Sequence, residues 1–348
     1  MNQLMTSVIV PTHDRVELLR EMLLSLKDQT VPMDSFEVIV VIDGGSEQLW
    51  SMLQAQDVPY HLRPVRQRQA GPSVARNRGA RLASGRILVF LDDDMLPGQS
   101  FLAEHLSLHD HNPNAVVLGP YIPPSLNRVA GQGGWNVWEA RVLDRHYRAV
   151  ASGHRPPAGR RLYSGNFSVP RDDFWRVGGF DQSLERGEDV ELGFRLEQAG
   201  LTYHFSLGAG SVHRGYRGFE SWCRSAYLYG QCDALFAAEK GHKTLPEVLG
   251  WYHRQRRPAR WMINVIAEAP WLDGSIIRLL KAASAGLTRL RLHGLAHYGY
   301  SGIYKVNYWK GFIDELGGKA AFKQRVSAWR KARSRNHSTD GGASARPV

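Results

Sequence analysis

The chain has 348 residues, 43% of them hydrophobic and 22% charged, which is the make-up of a soluble globular protein with a full core rather than of a disordered or membrane-spanning one. Its formal net charge of +11 is unusual and favours an anionic partner such as a nucleotide phosphate or an anionic lipid surface. The two cysteines, Cys223 and Cys232, form no Cys-x-x-Cys pair, so they read as free thiols of a reducing cytoplasm and not as zinc ligands. No basic segment followed by a long apolar one opens the chain, and no run of about 18 apolar residues occurs, so neither a signal peptide nor a spanning helix is expected.

Ser7–Val10 is a short apolar strand that ends at Pro11-Thr12-His13-Asp14-Arg15. Val16, Leu19, Leu23 and Leu26 then recur at helical spacing. A second buried strand, Glu37–Ile42, runs into Asp43-Gly44-Gly45-Ser46, and a helix to about Gln54 and a short strand near Tyr60–Leu62 follow. After the break at Gly71-Pro72, Ser73 is the expected cap of a helix to Ala83. Ile87–Leu91 is five apolar residues in a row, a strand covered on both faces, and Asp92-Asp93-Asp94 follows at once. In extended chain Asp92 and Asp94 share one side and Asp93 takes the other. Three adjacent carboxylates repel one another, and a hard divalent cation would offset that repulsion; the bland account is an acidic turn before the next helix. Open α/β sheets bind ligands beyond the carboxyl ends of their strands, which favours the first account.

A helix from about Ser100 to His109 and the strand Ala115–Leu118 complete a strand–helix alternation that predicts an α/β fold, with a mainly parallel central sheet and helices on both faces. Asp14, Asp43 and Asp92–Asp94 then line one edge of that sheet. Residues 120–160 lose periodicity and read as a long loop. From Glu188 an amphipathic helix begins, with Glu188, Asp189 and Glu191 in its first turn, and beyond Phe219 the chain is helical to about Arg333. Residues 334–348 read as a disordered tail. Ile276, Leu280, Ala283, Leu287 and Leu290 form one apolar stripe opposite Arg278, Lys281 and Arg289, and Lys323–Arg335 carries six basic residues and no acidic one. Both features point to peripheral binding at an anionic membrane surface, with packing on the protein as the alternative for the stripe. No glycine-rich dinucleotide motif, Walker loop or His-Glu-x-x-His occurs, and the scattered basic charge gives no nucleic-acid platform.

The order of the motifs says more than any one of them. Ser7–Arg15, Val41–Ser46, Gly71–Gly79, Leu91–Asp94, Ser164–Asn166, Gly178–Asp181 and Gly187–Leu192 together resemble the family 2 glycosyltransferases of GT-A fold, over roughly residues 5–215. The resemblance implies a catalytic unit at 1–217, with a nucleotide-sugar half to about 119 and an acceptor half from 120, then a helical region at 218–333. It implies an inverting transfer from a UDP-, GDP- or dTDP-sugar to a glycan or lipid-linked acceptor, with Mn²⁺ or Mg²⁺, in cell-surface polysaccharide synthesis on the cytoplasmic side. Related GT-A folds both invert and retain.

Carried over residue by residue, Pro11, Thr12, Asp14 and Arg15 match the loop that lines the nucleotide, and Asp43 matches the acidic residue that accepts from its base. Ile42 stands where many members have a second aspartate. Gly71, Arg76 and Asn77 match the segment beneath the nucleotide, while Arg78 and Arg81 read as helix surface. Asp92 and Asp93 fall on the donor side of the aspartate motif, and Asp94, with His213, would hold the metal. Gly165, Asn166 and Trp175 are the candidate sugar contacts. Glu188-Asp189 matches the pair whose aspartate is the general base, although both residues would also suit a helix amino terminus for its dipole alone. Two rival functions are a sugar-1-phosphate nucleotidyltransferase, which usually opens with a glycine-rich loop absent here, and a catalytically inactive sugar-binding protein.

Overall fold

A computed structural model describes residues 5–123, 133–237, 245–269 and 272–339. The chain divides into two compact units, Met1–Tyr216 and Arg217–Val348.

The first unit is built on a seven-stranded sheet. Four strands run parallel in the order β3 (His61–Gln67), β2 (Phe36–Asp43), β1 (Thr6–Thr12) and β4 (Ile87–Leu91). The sheet continues through β8 (Asn166–Pro170), which is antiparallel to β4, to β6 (Ala115–Leu118) and β9 (Thr202–Phe205). The continuous apolar runs of β1, β2 and β4 follow from burial on both faces. Val8, Val10, Val38 and Val40 enter one core, beneath α1 (Val16–Ser25), α2 (Glu47–Gln54) and α4 (Phe101–His111). Ile9, Ile39, Val41 and Phe90 enter the other, beneath α3 (Pro72–Leu82), α6 (Arg171–Arg176) and α7 (Glu188–Gln198). Phe90 and its cross-strand partner Phe167 stack at 4.8 Å and tie the parallel half to the reversed strand. A small second sheet, β5 (Met95–Pro97), β10 (Ser211–His213) and β7 (Tyr121–Ile122), closes over the carboxyl end of β4.

Three local expectations are corrected. Helix α3 opens on Pro72 with Gly71 as its cap at φ 94°, and Ser73 makes no capping bond. Within the stretch expected to be a loop lies an 18-residue helix, α5 (Gly134–Ala151); residues 124–132 are outside the described chain. Asn136, Ala140, Tyr147 and Val150 lie buried along it, a helical stripe hidden in the sequence by its arginines and its glycine-rich entry. The last helix passes Arg333 and reaches Thr339, and residues 340–348 of the expected tail are outside the described chain.

Behind the sheet, His105 and His109 of α4 share the Ser168 hydroxyl, each at 2.8 Å. Burial lowers their pKa values to about 4 and about 3 respectively. Both are neutral in the folded state, so they add stability that is complete above about pH 6.5 and is lost as pH falls from there through those lowered values. The melting temperature of His109→Gln is therefore expected to fall less steeply than wild type between neutral pH and about pH 4. Parallel curves would remove His109 as a source of acid instability.

The second unit is helical: α8 (Phe219–Leu235), α9 (Leu245–Arg254), α10 (Arg257–Glu268), α11 (Asp273–Arg289), α12 (His293–Glu315) and α13 (Lys319–Thr339). Trp309, Phe312, Ile263, Leu249 and Phe322 form its core. Among the described residues, no helix is long and apolar enough to cross a membrane.

Candidate active site

The parallel half of the sheet brings the ends of β1, β2 and β4 to one edge, and the loops that carry Asp14, Asp43 and Asp92–Asp94 lie there. The chain does not stay extended after Leu91. It turns, with the Met95 amide donating to the Asp92 carbonyl at 3.2 Å, so the expected alternation of the three aspartates fails. Asp93 and Asp94 point together and Asp92 stands apart.

Arg15 spans the first two. Its Nη1 reaches Asp93 Oδ1 at 3.0 Å and Asp94 Oδ2 at 2.5 Å, and the Thr12 hydroxyl donates to Asp93 Oδ2 at 2.7 Å. Burial raises the Asp93 pKa to about 6 against the pull of Arg15 and Thr12. The expectation that Asp93 faces away is therefore corrected: it shares one cation with Asp94.

Asp94 and His213, the two residues expected at a metal, lie close together. His213 Nε2 lies 3.6 Å from Asp94 Oδ2, and a Cβ on Gly215 would sit 2.0 Å from that same oxygen, so only glycine lets the loop pack this closely against the carboxylate. Among the described residues no three His, Cys, Asp or Glu side chains gather round one point. A carboxylate and an imidazole would thus need ligands from diphosphate and water, which is how such ions are commonly held beside phosphates. The donor set fits a divalent ion.

Asp92 faces Arg76. The guanidinium, on α3, donates to Asp92 Oδ1 at 2.7 Å and to Glu188 Oε1 at 3.2 Å, and so joins the aspartate turn to the amino terminus of α7. Gly165 is required by the same crowding: a Cβ there would lie 2.4 Å from Asp92 Oδ2 and 2.2 Å from the Tyr121 hydroxyl. Asp189 follows Glu188 and is half-buried, with one oxygen accepting from the Val190 amide at 2.8 Å. Burial, and then the neighbouring Glu188 charge, hold its pKa well above the usual carboxylate range.

Tyr121 belongs to no motif of the sequence. Its ring stacks on His213 with centroids 5.5 Å apart, and burial, then Asp92, raise its pKa so that it stays a phenol. Between Tyr121 and His213 on one side and Asn136, Glu139 and Leu143 of α5 on the other lies a small recess of about 30 Å³, open to solvent. Only the helical stripe of α5 could have revealed this wall in advance.

Other candidates shape the site from behind. Asp14 accepts from the Ser46 amide at 2.8 Å and ties the loops after β1 and β2. Asp43 accepts from Gln67 Nε2 and from the Ala70 and Gly71 amides at 2.7–2.9 Å, filling three of its roughly four acceptor sites. Pro11 lies in register with Val41 at the end of β1. Asn77 spends both ends of its amide on the Phe180 backbone and is almost fully buried, so it clamps that loop and presents nothing to a ligand. Asn166, wholly buried, is likewise corrected as a sugar contact: it donates to the Ala209 carbonyl and meets His105 through its oxygen. Trp175 is corrected by topology. Because β8 runs against β4, with Leu91 paired to Asn166 and Ile87 to Pro170, α6 begins at the opposite edge of the sheet. There Trp175 packs on Phe174 and beneath Arg81.

The chain is 32% identical over 223 residues to a validoxylamine A glucosyltransferase of Streptomyces hygroscopicus, covering 56% of this chain and 52% of that one. It is 26% identical over 240 residues to an Escherichia coli chondroitin synthase, covering 60% of this chain and 34% of that one. The chain thus spans about half or less of the length of these relatives. Among solved structures, the mannosyltransferase PcManGT of Pyrobaculum calidifontis, in complex with GDP-Man and Mn²⁺, superposes with a TM-score of 0.58 at 19% identity, over 89% of this chain and 86% of that one. Residues 1–349 of S. aureus TarS, in complex with UDP-GlcNAc, do so with 0.53 at 17% identity over 92% of each. Both likenesses establish the GT-A fold. Residues 7–170 match the family model described as Glycosyl transferase family 2, and in that part the chain is similar to a family 2 glycosyltransferase.

Proposed function

We propose that this chain transfers a sugar from a nucleoside diphosphate donor to a hydroxyl of a glycan or glycolipid acceptor, with inversion at the anomeric carbon, as a step of surface polysaccharide assembly. The observation that carries the reading is the Glu188–Arg76–Asp92 bridge, which turns the aspartate loop and the start of α7 toward one cleft. Support for the donor class comes from the fold neighbours, whose complexes contain GDP-Man and UDP-GlcNAc. Asp43 would act on the base mainly through the Ala70–Gly71 loop that it holds, with one acceptor site to spare. Arg15, half exposed above Asp93 and Asp94, is placed to meet the diphosphate.

Asp94 and His213 would hold Mn²⁺ or Mg²⁺. When bound, that ion neutralises charge growing on the leaving nucleoside diphosphate. Asp189 takes the proton of the acceptor hydroxyl as its oxygen attacks the anomeric carbon from the side opposite the leaving group. Its raised pKa makes it a stronger base than an exposed carboxylate, and the recess beside Tyr121 and α5 is the acceptor's approach. A nucleotidyltransferase is less well supported, because the Pro11–Arg15 loop has no glycine. An inactive binding protein would have no reason to keep Asp93 and Asp189 buried at the expense of their ionised forms.

Titration calorimetry of UDP, GDP and dTDP with and without Mn²⁺ tests the site. Asp94→Ala is expected to weaken Mn²⁺-dependent nucleotide binding by more than about 100-fold, and Asp93→Ala by about tenfold through the shared Arg15. Unchanged affinity in Asp94→Ala removes the metal from this reading.

A further inference from the structure

The apolar stripe of α11 is divided by the fold. Leu280 packs toward Gly302 of α12, and Ser284 is buried against Gly299, so the stripe's inner part is a helix-packing face. What stays uncovered is the tip of the α11–α12 hairpin. Leu290 is 70% exposed, Leu292 46%, Leu295 55% and Tyr298 60%, with Leu279 at 71% on α11 and Trp261 at 65% on the adjoining α10. Leu279 and Leu290 are eleven residues apart, three helical turns, and so share a face of α11. Large apolar side chains left uncovered in such a group mark an interaction surface, whereas singly scattered ones do not.

The sequence around the tip is basic. Between Asp273 and Asp314 there is no acidic residue; of the six basic residues there, Lys281 and Lys310 pair with Glu220 and Asp273, and the others are Arg278, Arg289, Arg291 and Lys305. Arg256, at the start of α10, sits over the Tyr298 ring at 5.6 Å.

The backbone adds a second, independent observation. Helix α11 ends with the Leu292 amide bonded to the Leu287 carbonyl at 2.9 Å and the Arg291 amide to the Thr288 carbonyl at 3.0 Å, a stop that places Arg291 in the left-handed region at φ 60°. Glycine is the usual residue at such a position, and Arg291 is the sole non-glycine with positive φ among the described residues. A strained arginine is held at the apex of an uncovered apolar tip.

We propose that this tip, Leu290–Tyr298 with Trp261, docks on an anionic bilayer surface, the leucines and aromatic rings entering the headgroup layer and Arg256, Arg289 and Arg291 meeting lipid phosphates. Leucine and tryptophan on one side with arginine around them is the composition of an interfacial element, and arginine stems reach phosphate from an apolar footing. A neutral protein partner would not call for so uniform a charge. The other basic region, α13, is a poorer candidate. Its Phe322 and Val326 are buried in the core of the unit, and its Lys319 and Lys323 are paired with Glu268. The inference does not depend on transfer chemistry.

The test is co-sedimentation of the full chain with phosphatidylcholine vesicles, plain or with roughly one lipid in four replaced by phosphatidylglycerol, at low and high salt. Wild type is expected to pellet with the anionic vesicles at low salt, to be released by high salt and to ignore the neutral ones. The double variant Leu292→Ser with Leu295→Ser, at exposed positions, is expected to bind at least about tenfold more weakly. Arg291→Gly is expected to melt at a higher temperature yet bind more weakly, opposite signs that a merely structural arginine would not give. Failure of wild type to bind anionic vesicles overturns the proposal. So does equal binding by both variants, or loss of binding only on substitution of Lys323 and Arg330 in α13. Self-association of wild type without vesicles that the leucine variant abolishes would assign the tip to a second copy of the chain instead.

Discussion

Asp189→Asn is expected to lower turnover by roughly 10²–10⁴, the range lost with a general base, while nucleotide and metal binding persist. The asparagine keeps the size of the side chain and can still accept from the Val190 amide, but it cannot take the acceptor proton. The pH dependence separates this role from a helix-dipole role. The pKa of Asp189 is raised by burial and then by Glu188, so its acid limb of activity should lie above the usual carboxylate range, and Glu188→Gln should move that limb to lower pH. Stability carries the opposite sign. A carboxyl with a raised folded pKa adds stability below its unfolded pKa and loses it as pH rises through the folded value. Asp189→Asn should therefore melt no lower than wild type at alkaline pH. If Asp189 only complemented the dipole of α7, the variant would melt slightly lower and turn over almost normally. Near-normal turnover would exclude Asp189 as the base.

Arg76→Met should be the most destabilising single change at the site. Its guanidinium is 6% exposed between Glu188 at 10% and Asp92 at 32%, and methionine would fill the space without pairing either carboxylate. Removing one partner from a buried pair costs about 3–5 kcal/mol, and solvent at Asp92 screens part of the loss, so the lower end applies. In a unit of this size that is a fall in melting temperature of roughly 6–12 °C. Adding Glu188→Gln should restore part of it, because the orphaned charge is then gone. Arg76→Lys should rescue little, since an ammonium cannot fork to two carboxylates in that geometry. A loss below about 1 kcal/mol, the range of a surface pair, would show that the bridge holds nothing together.

The sequence by itself determined the central sheet and the edge at which the acids meet. Runs such as Val8–Val10, Val38–Val41 and Ile87–Leu91 can be satisfied only by cover on both faces, and parallel strands joined by helices all end on one side. Asp14, Asp43 and Asp92–Asp94 were therefore placed together by local pattern alone. Pattern could not show what each polar side chain would meet, because those partners are far apart in the chain. Arg76 meets Glu188 across 112 residues, Asn77 meets Phe180 across 103, and Asn166 meets His105 across 61. The tertiary structure decided these cases. The reversal of β8 carried Trp175 to the wrong edge, the turn after Leu91 put Asp93 beside Asp94, and α5 set a wall against Tyr121. The packing of α11 on α12 covered Leu280 and left Leu290 and Leu295 bare. Periodicity along a chain fixes which face of an element is apolar; what covers that face, and how much of it, depends on strand direction and helix docking.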